Sequence, residues 1–228
     1  MDIDPTAVTG IRDPESVKLI HKGKWANANV YRFLENRQYI VRKGFCSRPL
    51  PIRWTLGAFF VWREISILNR LAGITGVPRN CRRCREQALC YRYIDGETLG
   101  EKWKKREMLP ESYFIEAEKL LFQIHNRKIV HLDLRKATNW IVQPDSRPAI
   151  IDYQSAVSVS FLPRKLRNFL YLIDYSGLYK FWDRLCEEPL DPERRKLLDR
   201  VNRLRQLWIF KGYIFKGMIK PSKRKSRK

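Results

Sequence analysis

The chain has 228 residues, of which 44% are hydrophobic and seven are tryptophan, so it can bury a substantial core in one bilobal domain or two small ones. Its 46 basic and 24 acidic residues give a formal charge of +22, which favours an anionic, extended partner: nucleic acid, an acidic membrane face or a phosphorylated glycolipid. No apolar segment follows a basic start, and charges interrupt every long apolar stretch before about 18 residues, so we expect neither a signal peptide nor a transmembrane span.

The amino-terminal segment begins without a clear periodic pattern. Residues 1–15 contain two prolines and three aspartates, and we expect a flexible lead-in. Residues His21–Val30, HKGKWANANV, then contain one glycine, Gly23, with Ala26 and Ala28 as further small residues. Small residues let backbone amides approach a phosphate, although less closely than glycine does. This segment alone therefore does not indicate nucleotide binding.

A short strand is predicted at Gln38–Lys43, where the residues alternate as in a half-buried strand. Arg42 and Lys43 point to opposite faces of such a strand, so only one of them can enter a cleft beneath the sheet. The apolar neighbours Ile40 and Val41 do not decide which one it is.

The next segment, Leu56–Leu71, has the apolar periodicity of a helix, with Phe59, Trp62, Ile65, Leu68 and Leu71 at three-residue steps. Glu64 is the only acidic residue in this segment. A solvent-exposed position is ordinary for a glutamate. A lone acid on an apolar and basic helix is less ordinary, and it is kept as a candidate partner for a basic residue of the preceding strand.

The five cysteines are an odd number in a chain for which we expect no export signal, and we expect reduced thiols. Cys81 and Cys84 have the spacing of a zinc knuckle, and Cys90 follows six residues later. Structural zinc requires four ligands and no fourth one lies nearby, so we favour a basic loop between strands. Residues 89–99 then predict a strand, a turn at a glycine and the start of a helix.

Residues 130–154, VHLDLRKATNWIVQPDSRPAIIDYQ, contain two apolar strand-like runs that each deliver an aspartate, with an asparagine between them. Phosphoryl transfer requires a group that orients the acceptor hydroxyl, and metal ligands that help to neutralise the phosphates. Asp133 is the candidate base, and Asn139 and Asp152 are the candidate metal ligands. Aspartate is common in turns that follow strands, but the combination with His131 and the intervening turn favours a phosphoryl-transfer site.

This segment resembles the catalytic and metal-binding loops of the protein-kinase-like superfamily, in particular its small bacterial branch with the RIO-type and lipopolysaccharide core kinases. The resemblance covers roughly residues 16–180. It implies an α+β, bilobal, protein-kinase-like fold, with a small antiparallel sheet lobe over residues 16–94 and a helical lobe over 95–220. A basic, disordered tail over residues 221–228 is expected to follow.

The resemblance also implies roles for single residues. Asp133 takes the place of the catalytic-loop aspartate, and Asp152, in Asp-Tyr-Gln, that of the metal-binding aspartate. Arg135 stands where many kinases have a lysine that reaches the transferred phosphate. His131 is expected to shape the loop by hydrogen bonding; it could itself be named the base, but in the resemblance that role belongs to Asp133.

Two departures from the kinase pattern are visible. The usual signature has its asparagine five residues after the aspartate, where this chain has Thr138, and Asn139 comes one residue later. We favour Asn139 as the metal ligand because an amide oxygen is the better donor to a metal. Gln154 replaces the usual glycine after the second aspartate, and we therefore expect no flipping activation segment.

In the amino-terminal half the resemblance requires a strand lysine and a helix glutamate that together orient the donor phosphates. It selects Lys43 over Arg42, from the likeness to the strand of the small bacterial kinases, and pairs it with Glu64. The backbone of Arg92, Tyr93 and Ile94 is expected to face the adenine.

The carboxyl-terminal part, residues 161–220, predicts helices rich in aromatic and basic residues. Leu207–Ile219 mixes large apolar groups with Lys211 and Lys216. Such a segment suits an anionic membrane interface, and it equally suits a last helix that packs on the core.

We expect a kinase that uses ATP and Mg²⁺ to phosphorylate a hydroxyl. The first choice of acceptor is a sugar of an envelope glycolipid such as lipopolysaccharide core, so the protein would be cytoplasmic and peripheral at the inner membrane. The nearest alternative is a RIO-like serine/threonine protein kinase. A non-catalytic kinase-like module that binds RNA or anionic membrane is favoured by the glycine-poor loop and the shifted asparagine. Sequence alone predicts neither the acceptor nor the oligomeric state.

Overall fold

The structure is a computed structural model that describes residues 11, 16–23, 28–45, 57–84 and 88–217, with side chains up to residue 205 in the last helix. The lead-in over residues 1–15, except Ile11, and the basic tail lie outside the described residues. So do most of the aromatic-basic segment Leu207–Ile219, of which only the backbone to Gly217 is described, and Cys46.

A five-stranded antiparallel sheet forms the amino-terminal part. Its strands are β1 (Lys18–His21), β2 (Asn29–Glu35), β3 (Gln38–Gly44), β4 (Arg82–Cys84) and β5 (Ala88–Arg92), in the order β1-β2-β3-β5-β4. Asn36 and Arg37 both have positive φ in the turn between β2 and β3, the conformation that matches the twist of a two-residue hairpin. The predicted strand over Gln38–Lys43 is confirmed and continues for one more residue.

One helix, α1 (Ala58–Arg70), packs against this sheet. Its apolar side buries Val61, Ile67 and Leu68, while Phe59 and Trp62 are exposed. The periodicity therefore predicted the helix correctly. It assigned the exposed Phe59 and Trp62 to the same apolar stripe as Leu68, because periodicity identifies an apolar stripe without showing how much of it is covered.

The rest of the chain is mainly helical. A short strand β6 (Glu97–Thr98) leads into α2 (Leu99–Lys105), where Thr98 and Glu101 form a capping box. The longer helices are α3 (Glu111–Asn126), α4 (Arg164–Leu185) and α5 (Pro192–Gly217). Between α3 and α4 lie the short strands β7 (Ile129–Val130), β8 (Trp140–Val142), β9 (Pro148–Ile150) and β10 (Val157–Ser158).

Two small antiparallel sheets fix the loops between these strands. Strand β8 pairs with β6 on one side and β9 on the other, and β7 pairs with β10. Gly96 approaches β8 so closely that a Cβ at this position would lie 2.3 Å from the carbonyl oxygen of Val142, and its φ is +140°. The turn before α2 thus requires glycine.

One hydrophobic core runs from the sheet and α1 through α3 to α4. Its largest fully buried side chains include Trp140, Trp182, Tyr113 and Tyr153. Among the described residues, no helix is both long enough and apolar enough to cross a membrane.

The cysteines require a correction. Cys84 and Cys90 form a disulfide between β4 and β5, whereas reduced thiols were expected; Cys81 and Cys186 are free. Antiparallel pairing places Cys84 opposite Ala88, two residues before Cys90, and the Cα atoms of the two cysteines are 6.0 Å apart. Spacing along the chain did not reveal this pairing. Among the described residues, no group of three or more histidine, cysteine or acidic side chains is placed so that it could hold a metal ion.

Candidate active site

Lys43 lies near the end of β3, on the face of the sheet that α1 covers. Its Nζ is 3.0 Å from Oε1 and 2.9 Å from Oε2 of Glu64, and both side chains are almost fully buried. Strand alternation directs Arg42 to the other face. The structure thus brings Lys43, and not Arg42, into contact with the one acidic residue of α1.

Asp152 meets the same lysine from the opposite side. It follows β9 in a left-handed conformation, with φ of 65°, and its Oδ1 lies 2.5 Å from Lys43 Nζ. Burial alone would raise the pKa of Asp152, but the charge and hydrogen bond of Lys43 hold it below its usual value. Burial also opposes the charge on Lys43, yet Glu64 and Asp152 raise the pKa of this lysine. Lys43 is therefore a buried cation that faces two carboxylates.

Asp133 and Asn139 lie together in the loop between β7 and β8. The Asn139 amide Nδ2 donates to the backbone oxygen of Asp133 at 3.0 Å and to its Oδ2 at 3.3 Å. The backbone oxygen of Asn139 accepts from the amide of Ile151 at 3.0 Å, which ties Asn139 to the residue before Asp152. The three candidate polar residues thus lie in two adjoining segments.

Lys136 is the cation that reaches Asp133. Its Nζ lies 2.6 Å from Asp133 Oδ2, and 59% of its side chain is exposed. The Arg135 guanidinium instead donates to Ser176 of α4 and Asn202 of α5. The structure therefore does not bring Arg135 to Asp133. The one extra residue between Asp133 and Asn139 gives the loop two adjacent cations, and the second of them faces the aspartate.

A buried carboxylate from α4 sets the shape of this loop, and sequence reasoning missed it. Asp174 accepts the backbone amides of His131 and Leu132 at 2.7 and 2.8 Å, and its Oδ2 is 3.1 Å from His125 Nε2. Leu132 has φ of +66°, an unusual conformation for leucine. Asp174 is the only acid within residues 169–179. Its helix also contains Asp183, so the lone-acid pattern that identified Glu64 is weaker here.

His131 acts through hydrogen bonds within the protein. Its Nε2 donates to the backbone oxygen of Ile151 at 3.1 Å, linking the loop of Asp133 to that of Asp152. Burial lowers the pKa of His131 and keeps the ring neutral. His131 is thus engaged within the protein, whereas Asp133 is partly exposed.

Residues 92–94 join the amino-terminal sheet to the mainly helical part, and their backbone amides differ in what they contact. The amide of Arg92 donates to Arg79 and that of Tyr93 to Tyr39. Among the described residues, nothing accepts the Ile94 amide. Of the three residues expected to face the adenine, Ile94 is thus the one whose amide has no acceptor within the described residues and could bind a ligand.

Only part of the glycine-poor loop is described. The Gly23 amide donates to Oδ1 of the buried Asn29 at 2.9 Å, closing the turn from β1 to β2, while residues 24–27 lie outside the described residues.

The oxygen atoms present suit Mg²⁺. Asp152 supplies a carboxylate, and Asn139 uses its Nδ2 for Asp133, which leaves its Oδ1 directed elsewhere as an oxygen donor. That oxygen accepts a long hydrogen bond, 3.5 Å, from the hydroxyl of the exposed Thr138. Hard oxygen donors of this kind are what Mg²⁺ prefers, usually with waters and phosphate completing its shell.

No protein-family model matches the sequence. The structure is similar to a solved one, that of the Rio2 kinase from Chaetomium thermophilum in its ADP/Mg²⁺–phosphoaspartate complex. The TM-score is 0.58 and the sequence identity is 13%. The match covers 85% of this chain and 64% of that kinase, so the chain spans somewhat less than two thirds of that protein. The fold is protein-kinase-like. The expected α+β, bilobal architecture is confirmed.

Proposed function

We propose that this protein is an ATP- and Mg²⁺-dependent phosphotransferase that phosphorylates a hydroxyl group. The observation that carries the proposal is the contact of one buried lysine, Lys43, with both Glu64 and Asp152. Those three groups, drawn from a strand, a helix and a loop, are the set that orients donor phosphates and metal in kinases. Burying Lys43 and Glu64 beside the partly exposed Asp152 carries a desolvation cost, and charges buried in this way are concentrated at functional sites.

Each remaining polar group has a role in this proposal. Lys43 contacts the donor phosphates, Asp152 and Asn139 hold Mg²⁺, and the Ile94 amide contacts the adenine of ATP. The metal would neutralise charge on the phosphates. Asp133 orients the acceptor hydroxyl and accepts its proton as the oxygen bonds to the γ-phosphorus and the bond to the β-phosphate oxygen breaks, releasing ADP. In this proposal Lys136, which pairs with Asp133, supplies the cation at the transferred group in place of Arg135.

For the acceptor we propose a sugar hydroxyl of an envelope glycolipid, reached by a cytoplasmic protein at the membrane face. The net charge of +22 supports an anionic acceptor or surface. A serine or threonine of a protein is the second candidate, and the likeness to the Rio2 kinase fold favours it.

The acceptor can be identified by incubating the purified chain with γ-labelled ATP and Mg²⁺. Three acceptors would be compared: extracted envelope glycolipid, mixed protein and water. Label in glycolipid that disappears in Asp133→Asn supports the first proposal, whereas label in protein supports the second. ATP binding without any transfer, combined with salt-sensitive binding to RNA, would indicate the non-catalytic module instead.

A further inference from the structure

Four cations converge beside the catalytic loop, and the proposed chemistry uses none of them. They are Arg135 from the loop, Lys180 and Arg184 from α4, and Arg205 from α5; we call them the basic cluster. Lys180 and Arg184 are four residues apart and share one face of α4. Arg205 lies three residues after Asn202, which holds the Arg135 guanidinium at 3.0 Å. The cluster is therefore assembled from three separate segments.

The basic cluster is fixed to the loop that carries Asp133. Lys180 Nζ donates to the backbone oxygen of Arg135 at 3.1 Å. Gly177 packs so closely on this loop that a Cβ there would lie 2.7 Å from the carbonyl carbon of Leu134. Arg135 follows Asp133 by two residues, so their Cα atoms are within about 7 Å of each other.

The four charges lie close enough to repel one another. Burial lowers the pKa of Arg135, and the positive charges of Arg205 and Arg184 lower it further. Burial lowers the pKa of Lys180 as well, and the other three cations add to that effect. None of the four forms an ion pair with a carboxylate of the described residues, although nearby Arg194 and Arg195 both do.

This arrangement differs from ordinary surface charge. Arg135 is half-buried and its guanidinium is held at both ends by Ser176 and Asn202. Arg184 and Arg205 remain exposed, and the Arg184 guanidinium lies 5.4 Å from the ring centre of the exposed Trp103 of α2. Uncompensated cations that are positioned by hydrogen bonds and partly open to solvent form a site for an anion, since a bound oxyanion would remove their repulsion.

We propose that the basic cluster binds a phosphate group carried by the acceptor, next to the hydroxyl that Asp133 orients. This inference rests on the proposed kinase function and narrows its acceptor to a molecule that already carries a phosphate close to the acceptor hydroxyl. The fork of Arg184 and Arg205 suits the paired oxygens of a phosphate. Lys180 retains two further donors for the same group.

The test uses Arg184→Gln/Arg205→Gln, which removes two exposed charges. Lys119→Gln/Arg203→Gln is the matched control, because it removes the same charge from exposed positions outside the cluster. The probe is glycerol phosphate, with glycerol as the uncharged reference, and binding is measured by calorimetry. Vesicles of phosphatidylcholine with and without phosphatidylglycerol present the same phosphate on a lipid.

We expect the wild-type chain to bind glycerol phosphate and not glycerol, the cluster variant to bind it about tenfold more weakly or worse, and the control to stay within about twofold. Equal loss in both variants, or no loss in the cluster variant, would overturn the inference. So would loss of vesicle binding in the cluster variant with unchanged binding of soluble glycerol phosphate, since the cluster would then serve the membrane surface.

Binding of Mg²⁺-ADP to the same samples separates this inference from the proposed function. The cluster variant should bind Mg²⁺-ADP as the wild type does, because the cluster shares no residue with the set proposed to hold nucleotide and metal. Failure of the wild-type chain to bind Mg²⁺-ADP would contradict the kinase proposal. The comparison of the two double variants with glycerol phosphate would still decide whether the cluster is an anion site.

Discussion

Lys43 Nζ lies 2.5 Å from Oδ1 of Asp152, although the two residues are 109 positions apart in the chain. The same nitrogen also donates a hydrogen bond to Glu64. One cation thereby joins a strand of the sheet, the helix that covers it and the loop after β9. Nucleotide binding and the relative placement of these three elements should therefore depend on the same side chain.

Replacing the lysine should affect both properties. Lys43→Met leaves Glu64 and Asp152 close together with no cation between them, and we expect the free energy of unfolding to fall by about 3 kcal/mol and nucleotide binding to be lost. Thermal unfolding and calorimetry measure the two effects. Lys18→Met, at an exposed position in β1, is the control and should change neither. A stable Lys43→Met that binds nucleotide normally would contradict the assigned role.

Replacing Asp133 should lower turnover without weakening nucleotide binding. Asp133→Asn keeps the size of the side chain but cannot accept the hydroxyl proton, so turnover should fall about a thousandfold while the affinity for Mg²⁺-ATP stays unchanged. Steady-state rates and equilibrium binding distinguish the two quantities. A parallel loss of affinity in Asp133→Asn would place this residue at the metal or nucleotide instead.

Lys136 should matter for rate and not for stability. Because 59% of its side chain is exposed, Lys136→Met should change the free energy of unfolding by less than about 0.5 kcal/mol. Turnover should fall about tenfold or more, since a cation next to the transferred group stabilises charge in the transition state. Lys119→Met, which removes an exposed lysine paired with Glu116, is the matched control. Full activity in Lys136→Met would exclude this role.

Replacing Asp174 should destabilise the protein and disturb the loop that carries Asp133. Asp174→Asn removes the charge that holds the amides of His131 and Leu132, so we expect a loss of about 3 kcal/mol in the free energy of unfolding. Asp183→Asn in the same helix removes a partly exposed pair with Arg195 and should cost less than about 1 kcal/mol. Equal effects of the two substitutions would show that Asp174 does not organise the loop.

Sequence patterns identified part of the candidate site. Glu64 was found as the lone acid of an apolar helix. Strand alternation left Arg42 and Lys43 open, and the resemblance to kinases selected Lys43. Asp174 shares its helix with Asp183, and two of its partners are backbone amides, which have no sequence signature. The choice between Arg135 and Lys136 depends on how one inserted residue is accommodated in a loop, and the Cys84–Cys90 pairing depends on strand register. Neither is encoded in residue spacing.

His131 should make stability depend on pH in a defined window. Its pKa is lowered in the folded state by burial, so the unfolded chain binds the proton more tightly. The contribution of His131 to stability is then constant above the unfolded value of about 6.5 and falls as the pH drops below it. The lowered pKa of Asp152 acts only at more acidic pH, below its ordinary value of 3.8.

The measurement compares melting temperatures at neutral pH and about one to two units below the unfolded pKa of histidine. The difference should be smaller in His131→Gln than in the wild type. His21→Gln, at an exposed position, should leave the difference unchanged. An identical pH dependence in wild type and His131→Gln would mean that the ring is not held neutral by burial.

The central claim, that Lys43, Glu64 and Asp152 form a nucleotide and metal site, is tested most directly by calorimetric titration of the purified chain with ATP. The titration is carried out with and without Mg²⁺, on the wild type and on Asp152→Ala. We expect saturable binding that Mg²⁺ strengthens in the wild type, and loss of that Mg²⁺ effect in Asp152→Ala. Absence of ATP binding by a wild-type chain shown to be folded, or an undiminished Mg²⁺ effect in the variant, would contradict the claim.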